Sequence, residues 1–285
     1  MTLDKKRFEA LDVFRGMTIA FMIIVNSPGD WGNTFSLLLH ADWHGFTPTD
    51  LVFPSFLFAV GNALAFVAKR WKAAEFGPVL KKVFFRSLII FFLGYTMYLF
   101  PFVERTADGF ELVSLSDSRI LGVLQRIALA YFFSAIMIYF IKPKGIAVWS
   151  VLLLVGYWLI LYVFGDYTLE NNAIRTLDLW LFGPEHLYHG DGIPFDPEGL
   201  LSTIPSIVNV LIGFLLGIYV RDGVDYKKLF MIMATGVALL VISYLWDFVF
   251  PVNKKIWTSS FVTLTTGLDL VLLGILIYLL DIRTP

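Results

Sequence analysis

Eight apolar blocks, each close to 20 residues long, alternate with polar segments along the chain. A helix of about 20 apolar residues is long enough to span the hydrocarbon core of a bilayer. The pattern therefore predicts an all-α polytopic membrane protein with about eight transmembrane helices in one bundle. The predicted spans are residues 9–27, 51–68, 85–102, 119–141, 146–165, 201–220, 228–250 and 262–281.

The composition agrees with this prediction and favours one transmembrane domain over residues 1–285. Hydrophobic residues make up 58% of the chain and charged residues only 16%, whereas soluble domains carry roughly 25% charged residues. The chain has no cysteine, which excludes disulfides, thiolate nucleophiles and cysteine-ligated metals. We expect membrane lipids around the spans and no nucleic-acid partner.

The distribution of lysine and arginine predicts the topology, because cytoplasmic loops are enriched in these residues. A cytoplasmic N-terminus places most of the 22 basic residues on the inner side, including Lys5, Lys6 and Arg7 and a basic loop at 69–86. Two long segments, 28–50 and 166–200, then face outwards. The second also carries Trp, Phe and Leu residues, so we expect it to fold as an external cap.

Polar residues form a stripe along the first predicted span. Arg15 and Asn26 differ by about 20° on a helical wheel, and Asp12 lies one turn from Arg15. Charged groups inside a span are costly and often mark a cavity or a pathway. The alternatives are a structural ion pair between Asp12 and Arg15 and a helix-capping role for Asn26.

The fourth predicted span carries two arginines. Arg119, Gly122 and Arg126 fall within about 60° of one another on a helical wheel, with Gln125 adjacent. An arginine at the depth of Arg126 must face protein, water or an anion. It therefore forms either a buried pair with a carboxylate or a contact with a ligand.

The sixth predicted span has Asn209, Gly213 and Gly217 at four-residue spacing. Small residues at this spacing usually permit close helix packing. Close approach of an extended ligand is the alternative.

A polar cluster precedes the second span, where His40 is the candidate catalytic group. A histidine exchanges protons near neutral pH and can also act as a nucleophile, and a carboxylate such as Asp50 could orient its ring. His40, Trp43 and His44 could instead form an interfacial belt. A metal site with His40, His44, Asp42 or Asp50 as ligands is disfavoured, because Gly45 and Pro48 argue against a helix there.

Four segments together resemble one family, the heparan-α-glucosaminide N-acetyltransferases and their bacterial relatives. They occur in the order expected for that family and cover nearly the whole chain. The segments are LDVFRGMTIAFMIIVN followed by HADWHGFTPTDLVFPSFLFAVG, then SRILGVLQRIALAYF, GIPFDPEGLLSTIPSIVNVLIGFLLG and KKIWTSSFVTLTTG.

The resemblance implies an acyltransferase that moves an acetyl group from cytoplasmic acetyl-CoA to the amine of a glucosamine-type sugar on the opposite face. The histidine of the family motif matches His40, and its asparagine at the end of the first span matches Asn26. The resemblance suggests a homodimer and a multi-pass protein of the bacterial inner membrane. Family members usually continue with further helices after the eighth span, so by this resemblance residues 1–285 lack the family's C-terminal helices.

We therefore expect catalysis by His40 and Asn26, with Asp50 orienting the histidine. We expect no metal, and acetyl-CoA as the co-substrate. The candidate cofactor-binding residues are Asp12, Arg15, Arg119, Gln125, Arg126, Asn209 and Gly213.

Two other functions remain open from the residues alone. The intramembrane charges would also suit a transporter or channel for an amino sugar or small anion. However, the sequence shows no inverted repeat of the kind common in transporters. A purely structural membrane protein would not need stacked arginines within a span.

Overall fold

The computed structural model describes residues 8–106 and 109–283. The predicted inner-side residues Lys5, Lys6 and Arg7 lie outside this range. The described helices of eight residues or more are α1 (Glu9–Asn26), α2 (Val52–Trp71), α3 (Phe76–Leu99), α4 (Val123–Phe140), α5 (Pro143–Phe164), α6 (Ala173–Phe182), α7 (Thr203–Val220), α8 (Tyr226–Asp247) and α9 (Ser259–Ile277). A π-helical turn, Tyr278–Ile282, follows α9.

Each of the eight apolar blocks coincides with a helix of at least 18 residues, which confirms the helical prediction. Six helical segments are long and apolar enough to cross a membrane, which supports a multi-pass membrane protein. Eight spans are not confirmed, because α1 and α3 are not among these six. The candidate spans are Pro48–Trp71, Val123–Phe140, Pro143–Phe164, Thr203–Val220, Tyr226–Asp247 and Ser259–Ile282.

Helix α2 packs closely along α7 at the centre of the structure. An added Cβ on Gly213 would lie 2.1 Å from the carbonyl oxygen of Phe58, and one on Gly61 would lie 1.9 Å from that of Val210. Glycine is thus required for the two backbones to approach this closely. Of the two interpretations of Gly213, the structure favours helix packing.

The predicted basic loop at 69–86 is largely helical. Lys69 and Arg70 end α2, while Lys81, Lys82 and Arg86 lie within α3, which begins at Phe76. The sequence prediction began the third span at residue 85, nine residues after the start of α3, because these cations interrupt the apolar pattern. A helix continues through them because lysine and arginine are good helix formers.

The prediction for the start of the fourth span is wrong for a different reason. Helix α4 begins at Val123, and Gly122 before it is fully extended, with φ at 176°. Arg119 therefore lies outside the helix, and the helical-wheel argument that joined it to Arg126 does not apply. An added Cβ on Gly122 would meet the Tyr98 hydroxyl.

Segment 166–200 folds against the ends of the helices and forms a cap; its external position stays a prediction. Ile174 of α6 and Phe195 are fully buried in a cluster with Tyr157 of α5, Phe250 and Ile256. A two-stranded antiparallel hairpin, β1 (Val103–Thr106) and β2 (Gly109–Leu112), follows α3 and was not predicted. The cap covers one end of α1, α2 and α4, where the candidate site lies.

Candidate functional site

A cavity of about 1210 Å³ lies under the cap. Val25 of α1, Phe53 and Phe56 of α2 and Ile127 of α4 line its apolar part. Its polar lining includes Asn26, His40, Asp42, Arg119, Glu198, Lys254 and Lys255. The size falls slightly above the usual range for small-molecule sites, so the cavity can hold an extended ligand or two molecules side by side.

His40 and Asp50 form a hydrogen-bonded pair at the wall of this cavity. The His40 Nδ1 atom lies 2.7 Å from Asp50 Oδ1. The His40 side chain is 49% exposed, while Asp50 is fully buried behind it. When Nδ1–H donates to the carboxylate, Nε2 keeps its lone pair, so the ring is oriented as a base.

The local sequence explains why Asp50 is held in place. Residues Pro48–Leu51 form a short 3-10 turn that begins with a capping box. The Thr47 side chain accepts from the backbone N–H of Asp50, and the Asp50 side chain accepts from the backbone N–H of Thr47. Asp50 Oδ2 accepts from the backbone N–H of Thr47 at 3.0 Å and of Ala41 at 3.2 Å. One oxygen thus fixes the loop while the other orients His40.

Lys254, from the loop between α8 and α9, completes this cluster. Its Nζ atom is 2.8 Å from His40 Nδ1, 3.2 Å from His40 Nε2 and 3.5 Å from Asp50 Oδ1. Burial lowers the pKa of the Lys254 ammonium, and the nearby Asp50 and Glu198 carboxylates oppose this effect. No role for Lys254 was predicted from the sequence.

A second cluster of charges lies on the cap side of the cavity. Arg119 donates to both oxygens of the buried Asp196 carboxylate, at 2.8 and 2.6 Å, and to Glu198 at 2.5 Å. Its guanidinium also stacks over Tyr188, 4.8 Å from the ring centre. Both carboxylates belong to the FDPEG segment, residues 195–199. These contacts therefore join the start of α4 to the cap.

Trp43 and Lys255 form a third part of the lining. The Trp43 indole donates to the Tyr167 carbonyl at 2.8 Å. The Lys255 ammonium pairs with Asp191 at 2.5 Å and lies 6.0 Å from the centre of the Trp43 ring. Neighbouring His44 also lines the cavity, and partial burial lowers the pKa of its imidazole.

Asn26 ends α1 and lines the same cavity as His40. Its Nδ2 donates to the Met22 carbonyl at 2.9 Å. This bond leaves one amide hydrogen and the side-chain oxygen able to meet a ligand. The structure therefore brings all three predicted catalytic residues to one place, with Asp50 behind His40.

Of the predicted cofactor-binding residues, Arg119 lines the cavity and the other six do not. Asp12 and Arg15 form an exposed ion pair at 3.5 Å. Gln125 is fully buried against α3 next to Gly94. A cofactor role for these residues stays a prediction.

Arg126 and Asn209 are buried in the protein interior. Arg126 donates to the Pro197 carbonyl at 2.9 Å and to the Ser202 hydroxyl, and its guanidinium lies 4.7 Å from the centre of the Trp257 ring. Asn209 accepts from the Trp257 indole at 3.1 Å. Both side chains connect the FDPEG segment and α7 to the loop that carries Lys254.

The donor set of the site is that of proton-transfer chemistry. Within the described ranges, 8–106 and 109–283, no three His, Asp or Glu side chains are grouped to hold a metal ion. A carboxylate-oriented imidazole, an ammonium and an amide facing one cavity can move protons and stabilise a developing negative charge.

Comparison with known proteins gives a consistent picture. The chain is similar to heparan-alpha-glucosaminide N-acetyltransferase of Homo sapiens, with 27% identity over 336 aligned residues that cover 97% of this chain and 49% of that protein. Its similarity to the enzyme of the same name in Mus musculus is 26% over 338 residues, with 97% and 50% covered. The chain thus spans about half the length of the curated relatives it matches. No family model matches it. The resemblance inferred from the motifs is confirmed by these similarities.

Proposed function

We propose that the protein is a transmembrane N-acetyltransferase that moves the acetyl group of acetyl-CoA to the amine of a glucosamine-type sugar. The observation that carries this proposal is the pairing of His40 with buried Asp50, at 2.7 Å, in the wall of a 1210 Å³ cavity. The similarity to enzymes named for amino-sugar acetylation supports it.

In this mechanism, His40 removes a proton from the neutral acceptor amine as its nitrogen attacks the thioester carbonyl. Asp50 holds the imidazole in the tautomer that leaves Nε2 basic. The free amide hydrogen of Asn26 donates to the carbonyl oxygen as negative charge develops on it. The reaction makes the amide C–N bond and breaks the C–S bond, releasing CoA.

The charges of the cavity suit these two substrates. Asp42 and Glu170 are exposed carboxylates in its lining that attract a protonated amino sugar. Arg119, Lys254 and Lys255 supply positive charge to the same cavity. We further propose that the cap faces away from the cytoplasm, so that donor and acceptor reach His40 from opposite faces of a bacterial inner membrane.

The proposal is tested with the purified protein in nanodiscs, labelled acetyl-CoA and glucosamine. We expect N-acetylglucosamine from the wild type and at least a 100-fold lower rate from His40→Ala. His189→Ala is the matched control, because His189 is exposed on the cap and does not line the cavity. Undiminished transfer by His40→Ala would overturn the mechanism. Uptake of amino sugar into vesicles without acetylation would favour a transporter instead.

A further inference from the structure

Lys254 adds to the pair of His40 and Asp50 a second group that can carry a proton. Its ammonium nitrogen lies within 3.2 Å of both ring nitrogens of His40. Since Nδ1–H is directed to Asp50, Nε2 is the ring nitrogen left to exchange a proton, and the Lys254 ammonium lies 3.2 Å from it. The two groups are therefore close enough to exchange a proton once a Lys254 N–H is aligned with the lone pair of Nε2.

Proton balance in the proposed reaction gives such an exchange a role. The acceptor amine loses a proton when it forms the amide, and the thiolate of CoA gains one when it leaves. A histidine that only accepts protons would end each cycle as an imidazolium, beside the Lys254 ammonium. Two cations about 3 Å apart repel each other strongly in a partly buried site, so the proton must move on.

We propose that Lys254 is a further catalytic residue, which protonates the departing CoA thiolate and then recovers a proton from His40. The reacting sugar amine is neutral, its ammonium proton having been lost to solvent. Its nitrogen bonds to the carbonyl carbon and gives one N–H proton to His40 Nε2. The C–S bond breaks, and sulfur takes a proton from the Lys254 ammonium. The neutral Lys254 amine then takes the proton from the His40 imidazolium. Both side chains return to their starting states, and no other reactant is needed.

The surroundings of Lys254 suit this role. The ammonium lines the cavity, and its side chain is only 19% exposed. Burial lowers the pKa of Lys254 from the usual lysine value, which makes a proton easier to give up. The charged groups that act on it are the carboxylates of Asp50 and Glu198 and the ammonium of Lys255.

The inference rests on the proposed function, and its test varies the leaving group. Acetyl-CoA releases an alkyl thiolate that needs a proton, whereas phenyl thioacetate releases an aromatic thiolate that leaves readily without one. We expect Lys254→Met to lower the transfer rate from acetyl-CoA about 100-fold or more. The same preparation should lose less than about tenfold with phenyl thioacetate.

Two further variants separate proton donation from charge or folding. Lys254→Arg keeps the positive charge but holds its proton too tightly to donate it, so it should not restore the rate with acetyl-CoA. Lys255→Met removes the neighbouring charge and should reduce transfer from both donors by the same factor.

The possible outcomes distinguish this inference from the function on which it rests. If the wild type transfers no acetyl group from acetyl-CoA, the proposed function is wrong. If the wild type is active and Lys254→Met loses the same factor with both donors, or Lys254→Arg is fully active, Lys254 is not the proton donor. A loss confined to acetyl-CoA supports the relay.

Discussion

Replacing Asp50 with asparagine changes one proton and one charge while keeping the shape of the side chain. In the wild type, Oδ2 accepts from two backbone N–H groups, and Oδ1 accepts from His40 at 2.7 Å. An amide has only one acceptor oxygen. If that oxygen stays with the backbone donors, the NH2 group faces His40 Nδ1 and donates to it. His40 then carries its hydrogen on Nε2 and is no longer a base.

The other amide orientation is less favourable. It would place the NH2 group against the backbone N–H groups of Ala41 and Thr47 and lose both hydrogen bonds. Hydrogen bonds to a charged acceptor are worth roughly 1.5–3 kcal/mol each, so the orientation that changes the tautomer should dominate. We expect Asp50→Asn to lower kcat by about 10³–10⁴-fold and to lower the free energy of unfolding by about 1–3 kcal/mol.

The assay is acetyl transfer to glucosamine, with kcat and KM measured separately and folding checked by thermal unfolding in detergent. Asp30→Asn is the control, because Asp30 is an exposed carboxylate on the same segment, 28–50, and does not line the cavity. We expect that control to keep wild-type kcat. If folded Asp50→Asn protein keeps more than a tenth of wild-type kcat, Asp50 does not set the tautomer of a catalytic histidine.

Three further predictions concern the scaffold around the site. Burial raises the pKa of Asp178 to about 7. The folded protein therefore binds more protons than the unfolded chain between about pH 4 and 7, and its stability falls as pH rises through that window, by about 1.4 kcal/mol per pH unit. Asp178→Asn should remove this contribution to the pH dependence of the melting temperature. Melting temperatures that change equally with pH in wild type and variant would contradict the argument. Gly213→Ala should cost about 1–3 kcal/mol of stability by forcing α7 away from Phe58. Gly156→Ala, with open space around it, should not be destabilising, and equal melting temperatures for these two variants would refute the packing argument. Arg119→Met should cost about 3–5 kcal/mol, because it leaves Asp196 buried and unpaired. Adding Asp196→Asn should recover part of that loss, whereas a further additive loss would count against the pairing.

Much of the candidate site could be recognised before the fold was known. The sequence places His40 and Asp50 ten residues apart, and a capping box at Thr47 is a local feature that brings them together. Asn26 could be placed near them because it ends the first apolar block. These contacts depend on short stretches of chain, whose geometry is largely set by local turns and helix ends.

Other parts of the site could not be found in this way. The helical-wheel argument grouped Arg119 with Arg126, yet Arg119 lies before α4 and pairs with Asp196, 77 residues further along the chain. Arg126 donates through one nitrogen to the Pro197 carbonyl of the FDPEG segment, and it does not line the cavity. Opposite charges that meet across such distances leave no periodic signal in the sequence.

The sequence alone determined that the chain forms long apolar helices, because a helix satisfies its own backbone hydrogen bonds and its length is set by the bilayer. It also determined the local pair of His40 and Asp50. Only the tertiary structure decided which cations join them, since Lys254 is 214 residues from His40 and reaches it through the packing of α8, α9 and the cap. Contacts between residues so far apart in the sequence depend on how whole helices pack. That packing is set by the shapes of buried helix faces, as at Gly213, and not by the residue pattern of any one segment.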